Sequence, residues 1–275
     1  MLTLTVDVEQ YGDPAKSLRF LRALEPLLDG LAQTGSKATF FVVGELVPYC
    51  TELLKEVKEF GHEVALHGYT HRFLNRITPE EFRDELTRGR HRIEDVLDVP
   101  PIGFRAPYFS LTEDSMWAPD LLAEAGFLYS SSVLPAWNPQ AGFPEAPRLP
   151  FLWPSGVVEF PAPTFGIGPL RLPIIGGAYL RLAPLPLVAA ARHQASKHLG
   201  AWTYCHPYDF DGTEPFTRRE GDNWLFSRLL FARRDIMLQR VLKVTTTGSR
   251  SLGDLVSNQE LLRTLHTWPT KNFGQ

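Results

Sequence analysis

The stretch that decides the fold is Leu2-Thr3-Leu4-Thr5-Val6-Asp7-Val8-Glu9, an apolar and polar alternation that ends in two carboxylates. Period two predicts a strand over Leu2–Val8. The same period puts Asp7 and Glu9 on one face of its end. Ala15–Leu31 follows, with Leu18, Leu21, Leu24, Leu27, Leu28 and Leu31 at helical spacing and Gly35 as a stop. Lys37–Val43 is a second apolar strand, so the chain opens as strand, helix, strand. The pattern repeats. Thr51–Phe60 reads as a helix closed by Gly61, Glu63–Leu66 as a strand, and Thr78-Pro79-Glu80-Glu81 as a capped start to a helix running to about Leu97. Ile102–Arg105 and Phe127–Val133 are further strands on either side of a helix over Asp114–Ala125. Such repetition predicts an α/β fold with a parallel sheet or barrel. In a barrel of this kind chemistry gathers at the C-terminal strand ends.

Outward from this core the composition changes. The 275 residues contain 21 glycines and 23 prolines, and ten of the prolines fall between Leu134 and Gly177. This segment reads as shaped loops and short strands. Pro186–Lys197 is a predicted helix, Ala201–Cys205 a strand, and Ser227–Leu242 helical. The charged fraction is 21% with a net charge of −3, which argues against a general nucleic-acid or anionic-membrane footprint. Two cysteines make no disulfide framework. The longest greasy run, about Leu180–Ala191, is broken by Arg181, Pro184 and Pro186 and is too short to span a bilayer. Met1 leads straight into the first strand without a signal-peptide pattern, so a cytoplasmic protein without a membrane span is expected.

The polar residues at the strand ends form an ordered set. Asp7 and Glu9 end the first strand, His67-Gly68-Tyr69-Thr70-His71 the third, and Arg105-Ala106-Pro107-Tyr108 the fourth. Tyr129-Ser130-Ser131-Ser132 and His206-Pro207-Tyr208-Asp209 follow. Two imidazoles and a carboxylate suit a borderline divalent metal, most simply zinc, with a position left for water. A second carboxylate and a separate histidine then complete the parts for metal-assisted hydrolysis. Taken singly, each piece has a bland reading. Asp-x-Glu can cap a helix, HxxxH can be incidental, Arg105 can be an ion-pair residue and His206 a buried hydrogen-bonded one. His62, His91, His193 and His198 read as structural or solvated. Cys205 alternates away from His206 and reads as core.

Taken in order, the set resembles the polysaccharide deacetylases of carbohydrate esterase family four, the NodB homology domain, from Thr5 to His206. Val158-Glu159-Phe160-Pro161 and Gly176-Gly177-Ala178-Tyr179-Leu180-Arg181-Leu182 resemble the branch found in exopolysaccharide and lipopolysaccharide loci. The resemblance implies a distorted, incompletely closed (β/α) barrel, with residues 1–275 as one domain. Residues 134–178 would be a Pro-rich loop insertion and 211–275 a C-terminal extension packed on the barrel. It also implies roles: Asp7 as base, Glu9, His67 and His71 as metal ligands, Arg105 as the residue orienting the base, the Tyr108 N–H as oxyanion donor and His206 as general acid. The expected reaction is N-deacetylation of an amino sugar in an oligosaccharide, a polysaccharide or a nucleotide- or lipid-linked precursor. Trp137, Trp153 and Tyr179 are candidate sugar-stacking surfaces, with core packing as their alternative. Three departures stand out. Ser130 replaces a family aspartate, Glu9 is one methylene longer than the usual aspartate, and Thr203 stands where an apolar residue usually lines the acyl pocket. A sugar-binding member without turnover, or a deformylase or other amide hydrolase, are the alternatives.

Overall fold

The computed structural model describes residues 1–10, 17–167, 171–217 and 224–269. The predicted helix start at Ala15, and parts of the 134–178 and 211–275 segments, lie outside the described residues. Strands β1 (Leu2–Val8), β2 (Ala38–Val42), β3 (Glu63–Leu66), β4 (Gly103–Phe104), β5 (Tyr129–Ser130), β6 (Phe151–Leu152), β7 (Val158–Glu159) and β8 (Ala201–Cys205) form one sheet. Its order is β6-β7-β5-β4-β3-β2-β1-β8, with every pair parallel except β6 and β7. Among these strands β6 and β8 are not paired with each other, so the sheet is an open, curled barrel.

The two faces of β1 explain this curl. All seven residues are buried, as expected for a central parallel strand covered on both sides. Leu2, Leu4, Val6 and Val8 join the outer core with α1 (Arg19–Thr34), where Phe20, Leu24, Leu27 and Leu31 are buried. The alternate residues of neighbouring strands face inward. Phe41, Ala65, Tyr129, Val158, Phe160, Trp202 and Tyr204 make a second core inside the curl. Leu252, Leu255 and Val256 of the short C-terminal helix at Leu252–Val256 also belong to it.

Local signals act where the sequence places them. Helix α1 stops at Gly35, whose φ of +60° lets its N–H reach the carbonyls of Leu31 and Ala32. Helix α2 (Thr51–Glu59) precedes β3. Helix α3 (Pro79–Leu97) starts on the expected capping box, with Thr78 accepting from the Glu81 N–H and Glu81 from the Thr78 N–H. Beyond it lie α4 (Ala118–Glu124), α5 (Gly177–Leu182), α6 (Leu185–Ala195), α7 (Trp224–Phe231) and α8 (Met237–Val244).

Three expectations are shortened. The strand expected over Phe127–Val133 pairs only at Tyr129–Ser130. Beyond that point the N–H groups of Ser132 and Val133 bond the Glu159 carboxylate at 2.6 and 3.0 Å. A side chain has taken the donors a ladder would use. The helix expected from Asp114 begins as a short turn over Glu113–Ser115 before α4. The helix expected over Ser227–Leu242 is divided between α7 and α8, because Arg233 takes a left-handed φ of +56°.

Candidate active site

The first strand end supplies two carboxylates, Asp7 and Glu9, both buried. The end of β3 brings His67 and His71 to Glu9. One Glu9 oxygen, Oε2, pairs with His71 Nε2 and lies 3.8 Å from His67 Nε2. The three residues can each offer one ligand atom, and these atoms lie within 4.8 Å of one another. His67 Nδ1 donates to the Arg105 carbonyl at 3.0 Å, which fixes its tautomer and turns the Nε2 lone pair to the cluster. Burial pushes the His67 pKa down to about 4, so the ring is neutral at neutral pH, as ligation requires. Burial alone would raise the Glu9 pKa, but the charge and hydrogen bond of His71 outweigh it and hold the group ionised. A carboxylate and two imidazoles aimed at one point fit a divalent cation of the zinc type.

Asp7 looks into the curl from the same strand end. Arg105, fully buried, bonds it through Nη1 at 2.5 Å. The same guanidinium donates to Thr5 Oγ1 at 2.9 Å, to the Ser131 carbonyl at 3.2 Å and to Ser131 Oγ at 3.0 Å. Phe41 and Trp202 cover it, with their ring centres 4.0 and 4.2 Å from Cζ. The arginine is thus held in place on every side that the sheet offers.

His206 follows β8. Its Nε2 lies 4.0 Å from Glu9 Oε1, and its Nδ1 is 2.9 Å from Asp209 Oδ2. Burial disfavours the imidazolium, yet the hydrogen bond and charge of Asp209 win and raise the pKa above its ordinary value. Asp209 is fully buried and lies 2.9 Å from Arg181, which is also fully buried. The Tyr208 ring stacks on His206 at 4.7 Å. Asp209 and Arg181 were not singled out from sequence. The available signals were a carboxylate three residues after His206 in a turn started by Pro207, and an arginine inside the Gly176–Leu182 motif.

Backbone strain concentrates here. His71, Tyr108 and Phe109 are non-glycine residues with φ of +56°, +61° and +52°, a conformation that costs energy and is often found at functional sites. Tyr108 is half-exposed and stacks on Phe73, with ring centres 4.0 Å apart.

Several sequence expectations need correction. Trp153 is not a sugar-stacking surface. It is 2% exposed, packs on Phe151 and Trp268, and donates Nε1–H to Glu159 at 3.1 Å. An indole in an apolar layer needs such an acceptor, and Glu159 provides it. Trp137 and Tyr179 are exposed. Ser130 does not face the site. By alternation it lies on the outer side of the sheet, bonding Ser132 Oγ at 2.8 Å, while Ser131 on the inner side holds Arg105. Thr203 does not line an acyl pocket either. Its hydroxyl donates to the Ile175 carbonyl, and Tyr204, next along β8, shares the inner face with His206. Cys205 points into the outer core as expected. His62 is buried and accepts the Ala38 N–H, whereas His91, His193 and His198 are exposed.

Known proteins resemble both halves of the chain. The polysaccharide deacetylase model covers residues 3–127, and a domain of unknown function, DUF3473, covers residues 131–247. A chitooligosaccharide deacetylase of Bradyrhizobium is 38% identical over 98 residues, which are 35% of this chain and 42% of that protein. The chain spans less than half the length of this and similar curated relatives. A Mycobacterium smegmatis protein assigned as a polysaccharide deacetylase has the same fold at a TM-score of 0.56 and 21% identity, covering 98% of this chain and 95% of that one. A Bacillus anthracis pseudoenzyme of carbohydrate esterase family four has a TM-score of 0.50 and 17% identity, covering 93% of this chain and 65% of that one. These two structures speak for the fold alone. Among the described residues, no helix is long and apolar enough to cross a membrane. The match to the polysaccharide deacetylase model at residues 3–127 and the match to DUF3473 at residues 131–247 thus follow one another along the open barrel.

Proposed function

We propose that the protein is a metal-dependent hydrolase that removes an N-acetyl group from an amino sugar of a polysaccharide or its nucleotide- or lipid-linked precursor. The observation that carries this reading is one buried cluster. Glu9, His67 and His71 converge beside a carboxylate fixed by Arg105 and a histidine fixed by Asp209. Glu9, His67 and His71 would hold the cation, zinc being the simplest match to the donor set. When bound, it would acidify a coordinated water and polarise the acyl carbonyl.

The chain's own residues supply the remainder. Asp7 takes a proton from the attacking water, and Arg105 holds its carboxylate at the angle this requires. The Tyr108 N–H donates to the oxygen of the tetrahedral intermediate. His206 gives a proton to the departing sugar amine through Nε2, so acetate and a free amino sugar leave. Trp137 and Tyr179 are offered as contacts for the sugar.

Metal analysis and acetate release from N-acetyl chitooligosaccharides and from nucleotide- and lipid-linked N-acetyl sugars test the proposal together. His67→Ala is expected to lose the metal. Asp7→Asn is expected to keep it and lose acetate release. Formate release from N-formyl sugars alone would move the reading to a deformylase. Full metal content with no turnover on any N-acylated sugar would refute the hydrolase.

A further inference from the structure

The Asp209–Arg181 pair has no part in the roles drawn from the family resemblance, and it lies in the second half of the chain. Asp209 Oδ2 is 2.9 Å from both the His206 N–H and His206 Nδ1, so one oxygen fixes the backbone and the ring together. On its far side Asp209 meets Arg181 at 2.9 Å. Arg181 sits on α5 and bonds the carbonyls of Leu230 and Ala232, at the end of α7 and just beyond it. Chain segments around residues 181, 209 and 231 therefore close on one histidine. The Asp7 side is built differently, from Thr5, Arg105 and Ser131. Among the described residues the two networks share no hydrogen bond.

From this geometry we infer that Asp209 is the positioning residue for His206 and Arg181 the anchor of Asp209, so that the proton-donating half of the site is built by the second half of the chain independently of the Asp7–Arg105 half. The inference rests on reading His206 as the proton donor. An Nδ1–H held by a carboxylate leaves Nε2 to face Glu9 and the leaving group. Ser130 then needs no carboxylate for this task, because Asp209 delivers one from the turn that follows His206 itself.

Two measurements on the metal-loaded full chain test it. The first is 15N NMR of histidine-labelled protein, with His206 assigned through His206→Gln. Wild type should show His206 protonated at Nδ1, and Asp209→Ala should show a changed tautomer. The second compares an N-acetyl chitooligosaccharide with 4-nitrophenyl acetate, whose leaving group departs without a proton. Asp209→Asn should lower kcat on the amide by about 10²-fold or more, the scale of general acid catalysis, with KM and metal content unchanged. Its rate on the aryl ester should stay within about threefold, by the same argument. Arg181→Met should reproduce the amide-selective loss in a milder form and serves if Asp209→Asn does not fold.

A wild-type His206 protonated only at Nε2, or equal losses on amide and ester, overturns the inference. A protein inert towards every amide, with the tautomer still dependent on Asp209, would refute the deacetylase reading while upholding the pairing.

Discussion

Replacing Arg105 with methionine tests the core of the site most directly. Arg105 is fully buried and contacts Asp7 at 2.5 Å. At that separation and an effective dielectric of about 20, the gross attraction is about 7 kcal/mol. Desolvation of both charges offsets much of it, so the net worth of the pair is smaller. The single variant does not return that offset, because Asp7 stays buried as a carboxylate without its cation. Thr5 Oγ1 and Ser131 Oγ also lose a donor. Breaking a buried pair from one side costs roughly 3–5 kcal/mol, a large share of the 5–15 kcal/mol typical of a domain. The assay is urea unfolding followed by tryptophan fluorescence, with a chelator present so that metal binding adds nothing. Asp7→Asn should also destabilise, since it strands Arg105. The double variant should cost less than the two singles together, with a coupling of about 2–3 kcal/mol at the upper end of measured cycles. A loss below about 1 kcal/mol for Arg105→Met, or strict additivity, would show that the pair does not hold the site as described.

Other perturbations read other parts of the fold. A Cβ on Gly176 would fall 1.8 Å from Tyr204 Cε1, so Gly176→Ala should cost at least the 1–3 kcal/mol of an overpacked core; a thermal midpoint equal to wild type would contradict the packing. Ser130→Asp, which restores the family residue, should lower stability by about 3 kcal/mol, or roughly 6 °C, because it buries a second carboxylate beside Glu159 without a cation; a gain in midpoint or in turnover would refute this. Burial and the Lys37 charge depress the His62 pKa from 6.5 to about 4. The unfolded chain therefore binds a proton that the folded one refuses, and stability falls as pH drops from 6.5 towards 4, by about 3 kcal/mol in all. Urea midpoints of wild type and His62→Gln should diverge across that window in favour of the variant; a constant difference would exclude His62 as the cause.

Much of the site is legible in sequence because its logic is local. Alternation in Leu2–Val8 places Asp7 and Glu9 on one side of the strand end. The Thr78–Glu81 box marks the start of α3 to the residue, since both of its hydrogen bonds close within four residues. His67 and His71 reach Glu9 because both follow β3, whose C-terminal end faces the same rim as that of β1. Other features depend on which side of the sheet a residue takes and on what arrives opposite it. Trp153 and Ser130 looked like site residues by their neighbours in sequence, yet both contribute to the outer layer around Glu159.

The sequence by itself determined the strand and helix order as far as β5, the strand β8, the two carboxylates of β1 and the histidine pair, because backbone periodicity and capping act over a few residues. Only the tertiary structure decided that Ser131 holds Arg105, that the Tyr204 ring meets His206, and that Asp209 lies between His206 and Arg181. Arg105 and Asp7 are 98 residues apart, and Arg181 meets the Leu230 carbonyl across 49 residues. Such pairs form when the curled sheet closes around its inner core and the segments after β8 pack on it. No local pattern encodes that closure, because the partners are chosen by burial and hydrogen-bond satisfaction in the assembled fold.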